Sequence, residues 1–191
     1  VFLTLSPPIM ARDLTLPEKL DAIAAEAFAK SGPGGAVIVV QDGKTLLRKG
    51  YGMADLELGV HVKPEMVFRI GSMGKQFTAV AILQLVKEGK VKFDDSLSKY
   101  VPDFPGAGAI TVEQLLTHTS GIRSYNDAPN AQVGAREDKT PMQLVDGIRN
   151  EKPAFAPGES WMYSNSGYLF LGIIIEKVSG MRYADYMQTK L

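Results

Sequence analysis

Apolar residues recur at helical spacing from Leu16 to Lys30, with Leu16, Leu20, Ile23, Ala24, Ala27 and Phe28 on one face. Ser31-Gly32-Pro33-Gly34-Gly35 stops that run. Ala36 to Gln41 is then almost continuously apolar and reads as a buried strand. Asp42-Gly43 is a hairpin signal, and Lys44 to Tyr51 returns as the partner strand. The chain therefore opens as a helix followed by an antiparallel pair.

Val67-Phe68-Arg69-Ile70 forms a short extended segment ending at Gly71. From Ser72 the pattern turns helical and runs to Glu88, with Gly89 as its stop. Between Phe77 and Val86 only Thr78 and Gln84 are polar, so this helix is expected to be buried on nearly all sides. Thr111-Val112-Glu113-Gln114 and Thr140-Pro141-Met142-Gln143 fit the capping box, the second with Pro at the first helical position. Ser166 to Val178 is another apolar helix, closed by Ser179-Gly180, and Arg182 to Leu191 is helical to its end. Ser124 to Asp138, polar and rich in Asn, Asp, Gly and Ala, is expected to be mobile.

Composition removes several classes of function. Lys plus Arg equals Asp plus Glu at 21 each, and basic residues are scattered, which sets nucleic acid aside as a partner. There is no cysteine, hence no disulfide, thiolate nucleophile or Cys-ligated zinc. The two histidines, His61 and His118, lie far apart and neither forms a His-Glu-x-x-His pattern, so neither a metal nor any other cofactor is expected. The opening Val1 to Ala11 reads equally as the back half of a secretory signal or as an ordinary apolar arm.

Serine becomes a useful nucleophile only when a base takes its proton. Ser72-Met73-Gly74-Lys75 sets a hydroxyl at a helix start with an amine three residues on, both on one helix face. The amide of Ser72 itself is free of an intrahelical acceptor and available to an oxyanion. The bare pattern is weak, since roughly one such match arises by chance in a chain this long. Ser96-Leu97-Ser98-Lys99 is a second match, but it leads into Tyr100-Val101-Pro102, where no helix continues. A phosphate-binding loop is excluded, because Arg69 and Gln76 occupy its required Gly and Ser/Thr positions. Tyr163-Ser164-Asn165 follows a Pro157-Gly158-Glu159 turn and precedes an apolar helix. Two accounts of it stand on the residues alone. In one, the phenol exchanges protons while the amide orients a substrate carbonyl. In the other, Tyr163 packs its ring and Asn165 caps the next helix.

Val67-Phe68-Arg69-Ile70-Gly71-Ser72-Met73-Gly74-Lys75-Gln76-Phe77-Thr78 resembles the first motif of the penicillin-recognising serine hydrolases. It is most similar to the branch of class C β-lactamases, D-alanyl-D-alanine carboxypeptidases and β-lactamase-fold esterases. The resemblance continues in order through Leu85 to Gly89, Asp94-Asp95, Lys99-Tyr100-Val101-Pro102, Leu115 to Gly121 and Tyr163 to Tyr168. It implies an α/β fold, an antiparallel sheet flanked by helices, over residues 16–191 after an arm at 1–15, with a helical subdomain at about 93–152. It implies that Ser72 attacks a small-molecule acyl substrate (a β-lactam, a D-Ala peptide or a simple ester) while Lys75 and Tyr163 shuttle the proton. Asn165 then holds the substrate amide or Lys75, and His118 is structural in a loop that frames the site. His61, Trp161 and Glu159 are assigned to packing or surface roles. A penicillin-binding sensor or an inactive fragment is the alternative, and the location implied is periplasmic or secreted, with cytoplasmic as the alternative.

Two departures stand out. Gly74 occupies a position where Ser, Ala or Thr is usual, and glycine in a first helical turn costs up to ~1 kcal/mol. The third motif, Lys-Thr-Gly or its variants on a sheet strand, is absent, because His118-Thr119-Ser120-Gly121 follows a helix and matches another segment. The expectation is that C-terminal strands are missing. The chain alone would then be a weak hydrolase, completed by a longer parent, a complementing C-terminal segment or a homo-oligomer.

Overall fold

The computed structural model describes residues 13–127 and 138–191, so the arm read at 1–15 falls almost wholly outside the described residues, as does 128–137 of the stretch expected to be mobile. The fold is α/β, with small antiparallel sheets and helices, in two compact units divided between Arg69 and Ile70.

In the first unit, helix α1 (Leu16–Ala27) starts at a Thr15 capping box completed by Glu18. Strands β1 (Gly35–Gln41) and β2 (Lys44–Tyr51) pair antiparallel from Gly35 opposite Tyr51 to Gln41 opposite Lys44, with a bulge at Val39/Val40. Asp42 and Gly43 both take positive φ, 49° and 74°, as a tight hairpin turn requires. Asp21 ties α1 to β2, accepting from the Tyr51 hydroxyl at 2.7 Å and the Lys49 amine at 2.8 Å. Two strands too short to announce themselves, β3 (Met53–Asp55) and β4 (Val60–His61), form a second small pair. Val67–Ile70 is not a strand: it makes no ladder, and Val67, Phe68 and Ile70 are exposed. Among the described residues every strand precedes Val62.

The second unit is helical. Helix α2 (Gly74–Lys87) is followed by α3 (Val112–Leu116), α4 (Pro141–Ile148), α5 (Asn165–Ser179) and α6 (Tyr183–Lys190). Both capping boxes form, at Thr111 with Gln114 and at Thr140 with Gln143. Helix α5 is the centre: Phe170, Leu171, Ile174 and Ile175 are fully buried against Ile82 and Leu85 of α2, Leu115 of α3 and Val145 of α4. The expectation for α2 needs correcting. Thr78, Ala81, Ile82 and Leu85 are buried, at the i, i+3, i+4, i+7 spacing of one face, while Phe77, Val80 and Leu83 remain exposed on the other. An all-round apolar composition says that a helix can be covered on every side, not that it is.

The second Ser-x-x-Lys match is a loop fixture. Ser96 donates to the carbonyl of Ala107 at 2.9 Å and accepts from the Ser98 amide, while Lys99 pairs with Asp95 at 2.8 Å. Burial alone would raise the Asp95 pKa. The bonds it accepts from Lys99, the Tyr100 hydroxyl and the Lys92 amide overcome that and hold it down to about 2. A carboxyl depressed in the fold stabilises above its unfolded pKa and loses that contribution as pH falls through the folded one. Asp95→Asn is therefore expected to lower stability at pH 7 by about 2 kcal/mol, a deficit that closes between about pH 4 and pH 2. Urea unfolding of both proteins at several pH values checks this.

Candidate active site

Ser72 sits in a single 3-10 turn, Gly71–Met73, that runs directly into α2. Lys75 follows one turn on, half-buried, and its amine donates to Ser72 Oγ at 3.2 Å. The intervening Gly74 has ordinary helical dihedrals and open space where a side chain would stand, so the usual Ser or Ala fits there.

The opposite wall comes from the segment entering α5. Ser164, not Asn165, caps that helix: its hydroxyl accepts from the Gly167 amide at 3.1 Å. Relieved of capping, the Asn165 side chain turns toward α2 and accepts from Lys75 Nζ at 2.6 Å. Its amide nitrogen donates to Asn126 Oδ1 at 2.8 Å, which fixes which end of the group faces the lysine. The Asn165 backbone N–H donates to the buried Ser124 hydroxyl at 2.6 Å. Tyr163, two residues earlier, brings its hydroxyl to 2.5 Å from Ser72 Oγ. The four predicted residues, Ser72, Lys75, Tyr163 and Asn165, are thus brought together from positions up to 93 apart in the chain.

The charge at the centre is that of Lys75. Its ammonium lies 4.6 Å from the centroid of the Tyr163 ring and 5.5 Å from that of Tyr168. Hydrogen bonding to Lys75, then to Ser72, holds the Tyr163 phenol below its ordinary pKa. The Tyr168 phenol, pushed up first by burial and then by the charge of Tyr163, donates to the Leu116 carbonyl and is a packing group. Ser72 and Tyr163 are exposed, so a substrate can reach both.

Ser124 and Asn126, which orient Asn165, fall in the stretch expected to be mobile; no spacing signal marks them. His118 lies behind Tyr163, its ring centroid 4.7 Å from that ring, and Trp161 approaches it edge-on at 6.1 Å. Glu159 accepts from the Ala156 amide and shapes the turn before Tyr163. A cavity of about 260 Å³ among Phe104, Ile110, Ile122 and Ile148 is lined by none of the four site residues. Among the described residues no three His, Cys, Asp or Glu gather as a metal site would need, and no helix is long and apolar enough to cross a membrane.

An α/β chain in which a helix-start serine meets a lysine, a tyrosine and an asparagine falls into the penicillin-binding and β-lactamase class of folds. The chain belongs to the beta-lactamase family, whose model matches residues 20–191. It is 35% identical over 159 residues to penicillin-binding protein 4* of Bacillus subtilis (strain 168), a match covering 82% of this chain and 35% of that protein. Among solved structures, the octameric penicillin-binding protein homologue from Pyrococcus abyssi superposes with a TM-score of 0.73 at 35% identity, over 92% of this chain and 41% of that one. A D-stereospecific amidohydrolase from Streptomyces sp. gives a TM-score of 0.72 at 32% identity, over 88% of this chain and 50% of that one. The chain spans about a third of the length of the curated relatives it matches.

Proposed function

We propose that this chain carries the acyl-transfer centre of a serine hydrolase, which cleaves an ester or amide through an acyl-enzyme on Ser72. The observation that carries the reading is a single oxygen, Ser72 Oγ, within reach of both Lys75 Nζ at 3.2 Å and Tyr163 Oη at 2.5 Å. A nucleophile and base at hydrogen-bond distance, with the base oriented by a third group, is the general signature of an activated serine. Here the Lys75–Tyr163 pair stands in the place of the base, and Asn165 orients its lysine.

In this reading Ser72 Oγ attacks the acyl carbon, and its proton passes to the Lys75–Tyr163 pair. The lowering of the Tyr163 pKa, by Lys75 first and Ser72 second, eases passage of that proton through the phenol to the leaving amine or alkoxide. The Ser72 amide, at the start of the 3-10 turn, is one donor for the oxyanion. Water then cleaves the serine ester with the same proton relay in reverse. The acyl donor is a small molecule of the β-lactam, D-Ala peptide or simple ester type, and the kinship with a D-stereospecific amidohydrolase supports a D-configured amide among them. Kinship with an octameric homologue supports a test for self-association alongside the assay.

The test is covalent labelling. Treatment with a fluorophosphonate or a penicillin, followed by intact mass and peptide mapping, should place one adduct on Ser72 and none in Ser72→Ala. An adduct on Ser96 or Ser164 that survives in Ser72→Ala would overturn the assignment.

A further inference from the structure

The loop after α3 is a template for the segment that carries Tyr163. Three backbone bonds join the two in order. The Gly121 carbonyl accepts from Ala154 at 2.9 Å, the Thr119 carbonyl from Gly158 at 2.8 Å and the His118 carbonyl from Met162 at 3.0 Å. The amide two residues on, that of Ser164, is not met by backbone. It donates to Nδ1 of the His118 ring at 3.1 Å. An imidazole thus supplies the last rung of the ladder, between Tyr163 and Asn165.

Two further features mark this rung as built. His118 takes φ of 61°, the left-handed region that few residues other than glycine enter without strain. That backbone turn aims the ring along the segment, where it packs on Tyr163 at 4.7 Å and Tyr168 at 5.1 Å. The donor is a backbone N–H, so Nδ1 must be the unprotonated nitrogen and any ring proton sits on Nε2. A second proton on the ring removes the acceptor and turns an attraction into a clash of two N–H groups.

We propose that His118 is a positioning residue for the serine–lysine–tyrosine centre: its unprotonated Nδ1 holds the Tyr163–Asn165 segment in register, and its protonation releases that segment and slows acylation. The proposal rests on the reading of Tyr163 as a proton carrier. The titratable groups facing the ring are Lys75 from α2, Tyr163 from the segment before α5 and Tyr168 from α5 itself. Burial first, then the charge of Lys75, holds the His118 pKa below its ordinary value, and neither cause is a carboxylate that would retain a proton. The rung is therefore closed at neutral pH. The unfolded chain takes up this proton first as pH falls from about 6.5, so the folded state also loses stability there until the folded ring protonates.

The experiment compares wild type with His118→Gly and His118→Asn. Glycine accepts the positive φ but removes the acceptor. Asparagine also tolerates that φ, and its Oδ1 stands at the same number of bonds from Cα as Nδ1 but does not titrate. Rates of Ser72 acylation by a p-nitrophenyl ester are measured from pH 5 to pH 8. His118→Gly should lose about tenfold to a hundredfold at pH 7.5, consistent with a misplaced catalytic group, and the gap should narrow toward pH 5 as the wild-type ring takes up its proton. His118→Asn should recover most of that loss at pH 7.5 and lack the part of the acid fall-off that wild type owes to the imidazole. Wild-type rates in His118→Gly, or an unchanged acid limb in His118→Asn, would overturn the proposal. Nitrogen NMR of the imidazoles, with His61→Gln to assign the two, is read without turnover. It should show a bare Nδ1 on His118 at pH 7.5 and a shift of the Ser164 amide that titrates with that ring. A protonated Nδ1 at that pH overturns the proposal even if Ser72 reacts. If instead Ser72 takes no label while the NMR holds, the functional reading fails and the rung stands.

Discussion

Lys75→Met is expected to slow acylation of Ser72 by 10²–10⁴-fold, the range typical of general acid–base help, with little change in the helical fold. Methionine keeps the length of the apolar stem between the Tyr163 and Tyr168 rings but removes the amine that Ser72 Oγ and Asn165 Oδ1 both contact. Tyr163→Phe should fall in the same range, because it removes the 2.5 Å contact to the nucleophile. The double variant should be scarcely slower than either single one, since both groups serve one proton path. The pH profile carries a sign. Lys75 is the main cause that lowers the Tyr163 pKa, so in Lys75→Met the phenol pKa rises and the acid limb moves to higher pH. Single-turnover rates with an ester or a β-lactam across pH, with circular dichroism as the fold control, measure both effects. A Lys75→Met rate within a few-fold of wild type would leave the lysine without the proposed role.

Local signals were legible where the physics is local. The Asp42-Gly43 hairpin and the Thr111 and Thr140 capping boxes need only a few adjacent residues, and each forms where its residues stand. The serine–lysine pair was half legible: spacing put Ser72 and Lys75 on one face, yet Ser96 and Lys99 have the same spacing and are tied to Ala107 and Asp95. What separated them was the helix that follows one and the Pro102 that follows the other. The role of Asn165 was left open: beside a helix start Asn is a common cap, and the resemblance offered either the substrate amide or Lys75 as its partner. Only the structure shows Ser164 in that place and the Asn165 amide aimed at Lys75. Ser124 and Asn126 were illegible because polar residues between elements look alike whether solvated or packed. The exposed face of α2 misled for the opposite reason, since apolar character does not name what covers it.

Gly121→Ala is expected to damage the centre without touching it. Gly121 has φ of +74°, and a Cβ there would lie 2.1 Å from the carbonyl oxygen of Phe155. The left-handed backbone alone costs an alanine roughly 1–2 kcal/mol. The contact adds to that, because backbone rather than a flexible side chain must give way, by about 1.3 Å or more to reach ordinary van der Waals distance. The segment that moves is the one bonded to Gly121 at Ala154, to Thr119 at Gly158 and to His118 at Met162, and it ends in Tyr163. A displacement of that size at a catalytic group costs up to 10²-fold in rate. Gly121→Ala should therefore lower the urea midpoint and, in the fraction still folded, slow acylation by about a hundredfold. Gly147→Ala is the matched control: it lies within α4 with nothing near its Cβ and should stabilise slightly, as alanine does in a helix, with the rate unchanged. Equal acylation rates in the two variants would mean that the loop after α3 does not place Tyr163.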